Sequence, residues 1–183
     1  MPPEARLEES EYGLAPATEG WFVVNVCDGS WVTNEAFGAV CFFESDEAPF
    51  ADVGYSLLVF QPGQPSAMYH RETNQEDFLV LAGECLLLVE GEERQLRAWD
   101  FVHCPPGTEH IFFATGDGPC IIFMTGGRTR EKHIVYPRSE LALRHGAGVE
   151  EETGVPAEAY APFPKWLPGR PDLTEMPWAT PPT

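Results

Sequence analysis

The chain has 183 residues, 43% of them hydrophobic and 12% aromatic, enough to build the core of one domain and to exclude wholesale disorder. Lys and Arg number 11 against 29 Asp and Glu, a formal net charge of −18. A chain so acidic repels phosphate backbones and anionic bilayers, so neither nucleic acid nor membrane is expected as a partner. No apolar run approaches the roughly 20 residues of a bilayer span, and the opening MPPEARLEESEYG lacks the basic-then-apolar order of a secretion signal. Cys27, Cys41, Cys85, Cys104 and Cys120 are odd in number, form no CxxC pair and mostly sit in apolar runs. Such thiols behave as small hydrophobes, and a reduced, cytoplasmic protein is expected.

Three zones follow in chain order. Residues 1–20 are polar and acidic and read as an N-terminal arm. Residues 21–137 are a succession of short β-rich runs: Trp21–Val26, Phe37–Phe43, Tyr55–Phe60, Phe78–Leu81, Cys85–Val89, Arg94–Ala98, Phe101–Cys104, Ile111–Ala114, Ile121–Met124 and Ile134–Tyr136. Asp28-Gly29, Pro62-Gly63, Ala82-Gly83, Gly91, Pro105-Pro106-Gly107 and Gly116-Asp117-Gly118-Pro119 punctuate them. Strands at this spacing predict an all-β sandwich or barrel. Cys85–Val89 and Glu93–Ala98 form one hairpin about Glu90-Gly91-Glu92.

In residues 138–183, Ser139 N-caps a short helix through Arg144, which Gly146 or Gly148 ends. The proline-rich stretch beyond it carries Tyr160, Phe163, Trp166 and Trp178. The prolines exclude a regular helix or central strand, and the aromatics need a surface to cover, on the barrel or on a second subunit.

Two segments carry candidate chemistry: Gly63 to Gly83, with His70, Glu72 and Glu76, and Asp100 to His110. In a strand, His70 and Glu72 project from one side. Glu76 and Asp77 are adjacent, so one of them faces any metal. His110 heads an apolar strand after the Pro-Pro-Gly turn. If a barrel sets that strand beside His70, two imidazoles and one or two carboxylates converge, a donor set suited to iron, manganese or zinc. His103 and Cys104 alternate faces. Should His103 face inward, it would lie near the site as a catalytic proton donor or as a partner that orients a ligand. Cys104 reads as core, His133 and His145 as surface residues.

These segments resemble the two motifs of the cupin superfamily. The first family motif is glycine, five residues, His-x-His, three or four residues, Glu, six residues, glycine; His70, Glu76 and Gly83 match it. The second ends Pro-x-Gly-x-x-His, matched by Pro105, Gly107 and His110. The resemblance covers about residues 63–114 and implies a double-stranded β-helix (jelly-roll barrel) with His70, Glu76 and His110 as metal ligands. It departs at four places: Glu72 stands where the second His belongs, six residues separate Gly63 from His70, Trp99 replaces a glycine, and Ala114 replaces a terminal Asn. Glu72 is a candidate ligand by geometry alone. Two carboxylates with two imidazoles would neutralise a divalent ion, weakening it as a Lewis acid and favouring harder ions.

The resemblance implies a metal-binding cupin of small-molecule metabolism, an oxygenase or an isomerase acting on a small polar metabolite, with Met68, Tyr69 and Phe112 lining the pocket. A non-catalytic small-ligand-binding cupin is one alternative. Another is an Fe(II)/2-oxoglutarate-type oxygenase, for which Arg128 or Arg130 would hold the oxoglutarate carboxylate. A homodimer is expected from the resemblance.

Overall fold

The computed structural model describes residues 1–172, so Trp178 lies outside the described residues. The acidic N-terminal zone is not a plain arm: β1 (Leu7–Ser10) and β2 (Gly13–Pro16) pair as a hairpin. Backbone bonds from Leu14 to Asp28 and from Trp31 to Tyr12 dock it on the body. Trp21–Val26 is not a strand; Trp21 makes a single bridge to Glu4 and a loop follows. The first barrel strand is instead β3 (Ser30–Asn34), whose polar ends hid it in the sequence.

The remaining strands are β4 (Gly38–Phe42), β5 (Val53–Phe60), β6 (Arg71–Glu72), β7 (Glu76–Ala82), β8 (Glu84–Val89), β9 (Glu92–Arg97), β10 (Phe101–Cys104), β11 (His110–Thr115), β12 (Cys120–Gly127) and β13 (Ile134–Val135). After them come α1 (Glu140–Arg144), α2 (Pro156–Ala159) and β14 (Leu167–Pro168). One sheet of seven strands runs β10-β7-β12-β5-β4-β3-β14, and a sheet of three runs β11-β8-β9; every named pairing is antiparallel. The expected all-β double-stranded β-helix is what the chain forms.

Period-two alternation fills the barrel. Phe78 and Val80 of β7, Leu58 and Phe60 of β5 and Ile122 of β12 meet Leu87 and Phe112 of the small sheet inside. Leu57 and Val59 of β5 turn outward into a second apolar layer with Trp31, Cys41 and Ile121. Both faces of β5 are therefore buried, which is why it reads as an unbroken apolar run. Each large side chain so buried contributes roughly 1.5–3 kcal/mol. The β8–β9 hairpin turns on Glu90 (φ 50°) and Gly91 (φ 78°), the paired positive angles of a two-residue turn that matches strand twist. Among the described residues no helix is long and apolar enough to cross a membrane.

Ser139 caps α1, its Oγ accepting from the Ala142 amide at 3.3 Å, and Gly146 (φ 76°) ends it. The described part of the proline-rich zone then lies along the barrel. Tyr160, Phe163 and Trp166 gather on the buried ring of Phe37, with centroids 5.3, 4.8 and 6.3 Å away. Asn34 Nδ2 donates to the Pro164 carbonyl, and β14 pairs with β3 at the sheet edge, where a proline is tolerated. Phe37→Ala is expected to destabilise the protein by about 3–5 kcal/mol and to make the segment after residue 155 the first site of limited proteolysis, read by urea denaturation and mass spectrometry of the nicked chain.

Candidate metal centre

The turn that delivers His110 explains its motif. The Thr108 amide donates to the Pro105 carbonyl, with Gly107 (φ 88°) at the third position, where a side chain would be strained. The Gly107 amide then donates to the Glu72 carbonyl (2.8 Å), docking the turn on β6. From there His110 and His70 form a β-bridge: the His110 amide donates to the His70 carbonyl at 2.9 Å, and the reverse bond is 3.3 Å. Their rings lie 4.9 Å apart. Glu76 enters from β7, opposite Cys104 of β10 and Gly126 of β12.

His70, Glu76 and His110 each offer a ligand atom within 4.8 Å of the others, and His110 Nε2 is 3.7 Å from Glu76 Oε2. Cis donors about 2.1 Å from one first-row ion stand about 3 Å apart, so small side-chain rotations suffice to close the set. The imidazoles are aimed for it. His70 Nδ1 donates to the Met68 carbonyl (2.7 Å) and His110 Nδ1 to the Thr108 carbonyl (3.1 Å). A carbonyl only accepts, so each proton sits on Nδ1 and each Nε2 keeps a bare lone pair. Burial lowers both histidines to about 4, for His110 with help from His70, so both are neutral at pH 7. Burial, reinforced by the charge of Glu72 and opposed by Lys132, raises Glu76 to about 8. Two neutral imidazoles and a carboxyl that becomes a carboxylate once an ion displaces its proton fit a divalent first-row cation such as iron, manganese or zinc; the donor set does not choose among them.

Glu72 stands apart from this trio. It lines the same cleft, but its Oε1 is 2.9 Å from Lys132 Nζ, and it is not among the mutually close donors. His103 faces the other way. Across the β10–β7 pair it opposes Asp77 on the outer surface, with its half-exposed ring 2.6 Å from Asp77 Oδ1, while Cys104 opposite Glu76 takes the inner face. It therefore does not serve the site as a proton donor. The cleft is also not lined by the expected residues: Met68 packs with Phe37 and Tyr136, Tyr69 with Leu88 and Ile111, and Phe112 fills the barrel below. An opening of about 480 Å³ is lined instead by Glu72, Glu76, Phe78, Met124, Arg130 and Lys132, among others. His133 and His145 are both exposed as expected, His145 resting beside Phe113 with its Nε2 2.9 Å from Glu93.

Sequence reasoning named Arg128 and Arg130 only as oxoglutarate holders and missed Lys132 and Asn74. The alternating Arg128-x-Arg130-x-Lys132, so basic in so acidic a chain, was the available signal.

Residues 56–126 match the family described as Cupin domain. The barrel is a cupin domain. The polyketide cyclase RemF from Streptomyces resistomycificus resembles this cupin with a TM-score of 0.51 at 12% identity, over 58% of this chain and 79% of that one, a likeness of fold alone. A sugar phosphate isomerase from Silicibacter pomeroyi is 23% identical with a TM-score of 0.47, over 52% of this chain and 62% of that one. The DMSP lyase DddQ from Ruegeria pomeroyi is 28% identical with a TM-score of 0.43, over 52% and 50%. The cupin thus spans less than two thirds of the length of the last two. No curated protein matches it.

The shifted groups set a pH signature for metal-free protein. Between about pH 4.5 and 6.5 the unfolded chain holds the two histidine protons that the folded cluster rejects, outnumbering the one proton that folded Glu76 retains, so stability rises with pH. Between 6.5 and about 8 the folded state holds the extra proton of Glu76, whose contribution to stability falls with pH. Chelator-treated protein should therefore lose Tm between pH 6.5 and 8, and Glu76→Gln should abolish that loss in the same thermal melts.

Proposed function

We propose that this cupin is a metal-dependent enzyme acting on a small polar metabolite held in the cleft above His70, Glu76 and His110. The observation that carries the reading is the pair of imidazoles, each with its Nδ1 proton tied to a backbone carbonyl, whose ligand atoms lie within 4.8 Å of each other and of Glu76, which lines an open cleft. Three protein donors would leave coordination positions free on a bound ion, the pattern of catalytic rather than structural sites, and of the three Glu76 lines the cleft through which a ligand would reach them. A bound divalent ion would supply Lewis acidity and a place for substrate oxygens or dioxygen.

The chain's own residues do the rest. His70 and His110 stay neutral and keep their rings in place through Met68 and Thr108. Phe78 and Met124 line the approach to Glu76, which limits water there. Glu72, near enough to raise the Glu76 carboxyl, is held by Lys132 and is the acid in the cleft best placed to exchange a proton with a bound substrate.

Elemental analysis of protein purified without added metal is expected to give about one first-row ion per chain in the wild type, almost none in His110→Ala, and near-wild-type content in Glu72→Gln. Absence of metal from the wild type would sink the enzymatic reading. Oxygen uptake by iron-loaded protein, with and without 2-oxoglutarate, then separates an oxygenase from an isomerase. Thermal stabilisation by metabolites without product formation would favour the non-catalytic binder.

A further inference from the structure

We infer that Arg130, assisted by Lys132, binds an oxyanion — a carboxylate or a phosphate ester — of the metabolite whose other end reaches the metal centre. The inference rests on the proposed metal-dependent function and names the substrate class for that site.

Three of the chain's 11 cationic residues, Arg128, Arg130 and Lys132, fall within five consecutive positions, and all three line the cleft that Glu76 floors. They are not equivalent. Arg128 is already spent: its guanidinium pairs with both carboxylate oxygens of Glu44 and donates to the Phe50 carbonyl (2.7 Å). It also fills the space beside Gly54, where a side-chain carbon would stand 2.7 Å from Arg128 Nη2. Lys132 pairs with Glu72. Arg130, exposed at the cleft, has no carboxylate partner among the described residues; its one side-chain contact is a long 3.4 Å approach to the Thr73 carbonyl. A guanidinium presents a planar fork of donors that matches carboxylate and phosphate geometry.

Its backbone, in contrast, is pinned. Asn74, only 4% exposed, donates from Nδ2 to the Arg130 carbonyl and accepts the Arg130 amide at Oδ1, both at 3.0 Å. Thr73 Oγ1 donates to the Glu131 carbonyl at 2.7 Å and accepts the His133 amide at 3.0 Å. Two consecutive polar side chains thus clasp the basic strap to the chain that carries His70 and Glu76. A guanidinium on so fixed a backbone loses less entropy when it captures an anion.

The local field has the opposite sign to the molecule. With a divalent ion in place, that ion and three side-chain cations face only the carboxylates of Glu44, Glu72 and Glu76 among the acids lining the cleft. This leaves an excess of positive charge within a protein of net charge −18, and a concave site concentrates such a field on an entering anion. There is room for one: Gly126, opposite Glu76 in the sheet register, faces open space, with no atom within 4 Å of where a side chain would begin.

The test uses zinc-loaded wild type, Arg130→Gln and Arg130→Lys, with bound zinc quantified in each and inorganic phosphate and malonate titrated by calorimetry at low salt. Expected is binding of at least one of the two probes by the wild type, a loss of about tenfold or more in Arg130→Gln, and partial recovery in Arg130→Lys, with zinc content equal in all three. Phosphate binding alone identifies a phosphate ester, malonate binding alone a carboxylate. Equal affinity in wild type and Arg130→Gln would overturn the inference by assigning the anion to the metal alone, and so would failure of both probes to bind zinc-loaded wild type. A wild type that takes up no zinc would instead defeat the metal-dependent reading, a result visible before any anion is added.

Discussion

The constraint on which the site depends is the bridge between residues 70 and 110. Two backbone hydrogen bonds hold these positions face to face although forty residues separate them, and everything between is the machinery that brings them there. The β7–β8 turn passes through Gly83 (φ 76°), where a side chain would strike the Pro119 carbonyl at 2.4 Å. The β8–β9 hairpin and β10 then carry the chain back to the Pro105–Thr108 turn. Because both imidazoles spend their Nδ1 protons on nearby carbonyls, the backbone that sets their distance also sets their direction. Position and tautomer share one cause.

Residue 72 shows how one substitution reshapes such a centre. Placed on the same side as His70, Glu72 approaches Glu76 closely enough to raise its carboxyl, yet the ammonium of Lys132 holds it. The charge that a fourth ligand would have given to a metal goes instead to a side chain of the basic strap. The candidate centre is therefore a two-histidine, one-carboxylate cluster beside an ion pair whose Lys132 end is open to solvent.

Much of this was legible in the sequence, for reasons that differ by residue. Phe101–Cys104 was read to the residue because its flanking turn residues bound it sharply. His70, Glu76 and His110 were legible because their spacing is fixed by turns that only glycine and proline make well. The facing of His103 was left conditional, since alternation tells which neighbours oppose but not which face is the core; pairing with Asp77 on the surface decided it. The N-terminal hairpin escaped because Leu7–Ser10 is three-quarters polar and rests on backbone bonds. The cleft residues escaped because Arg130 and Lys132 owe their place to Thr73 and Asn74, more than fifty positions earlier, a contact that no local pattern encodes.

The aromatic segment after α2 does more than cover apolar surface. Tyr160 Oη accepts the Met68 amide at 3.2 Å, and the carbonyl of the same Met68 receives the His70 Nδ1 proton at 2.7 Å. A single peptide unit pair therefore stands between a phenol near the chain's end and the coordinating edge of an imidazole ninety positions upstream. A domain trimmed to its barrel strands would retain every donor atom yet forfeit the brace that orients one of them, so the geometry of the cluster draws on chain well past the barrel.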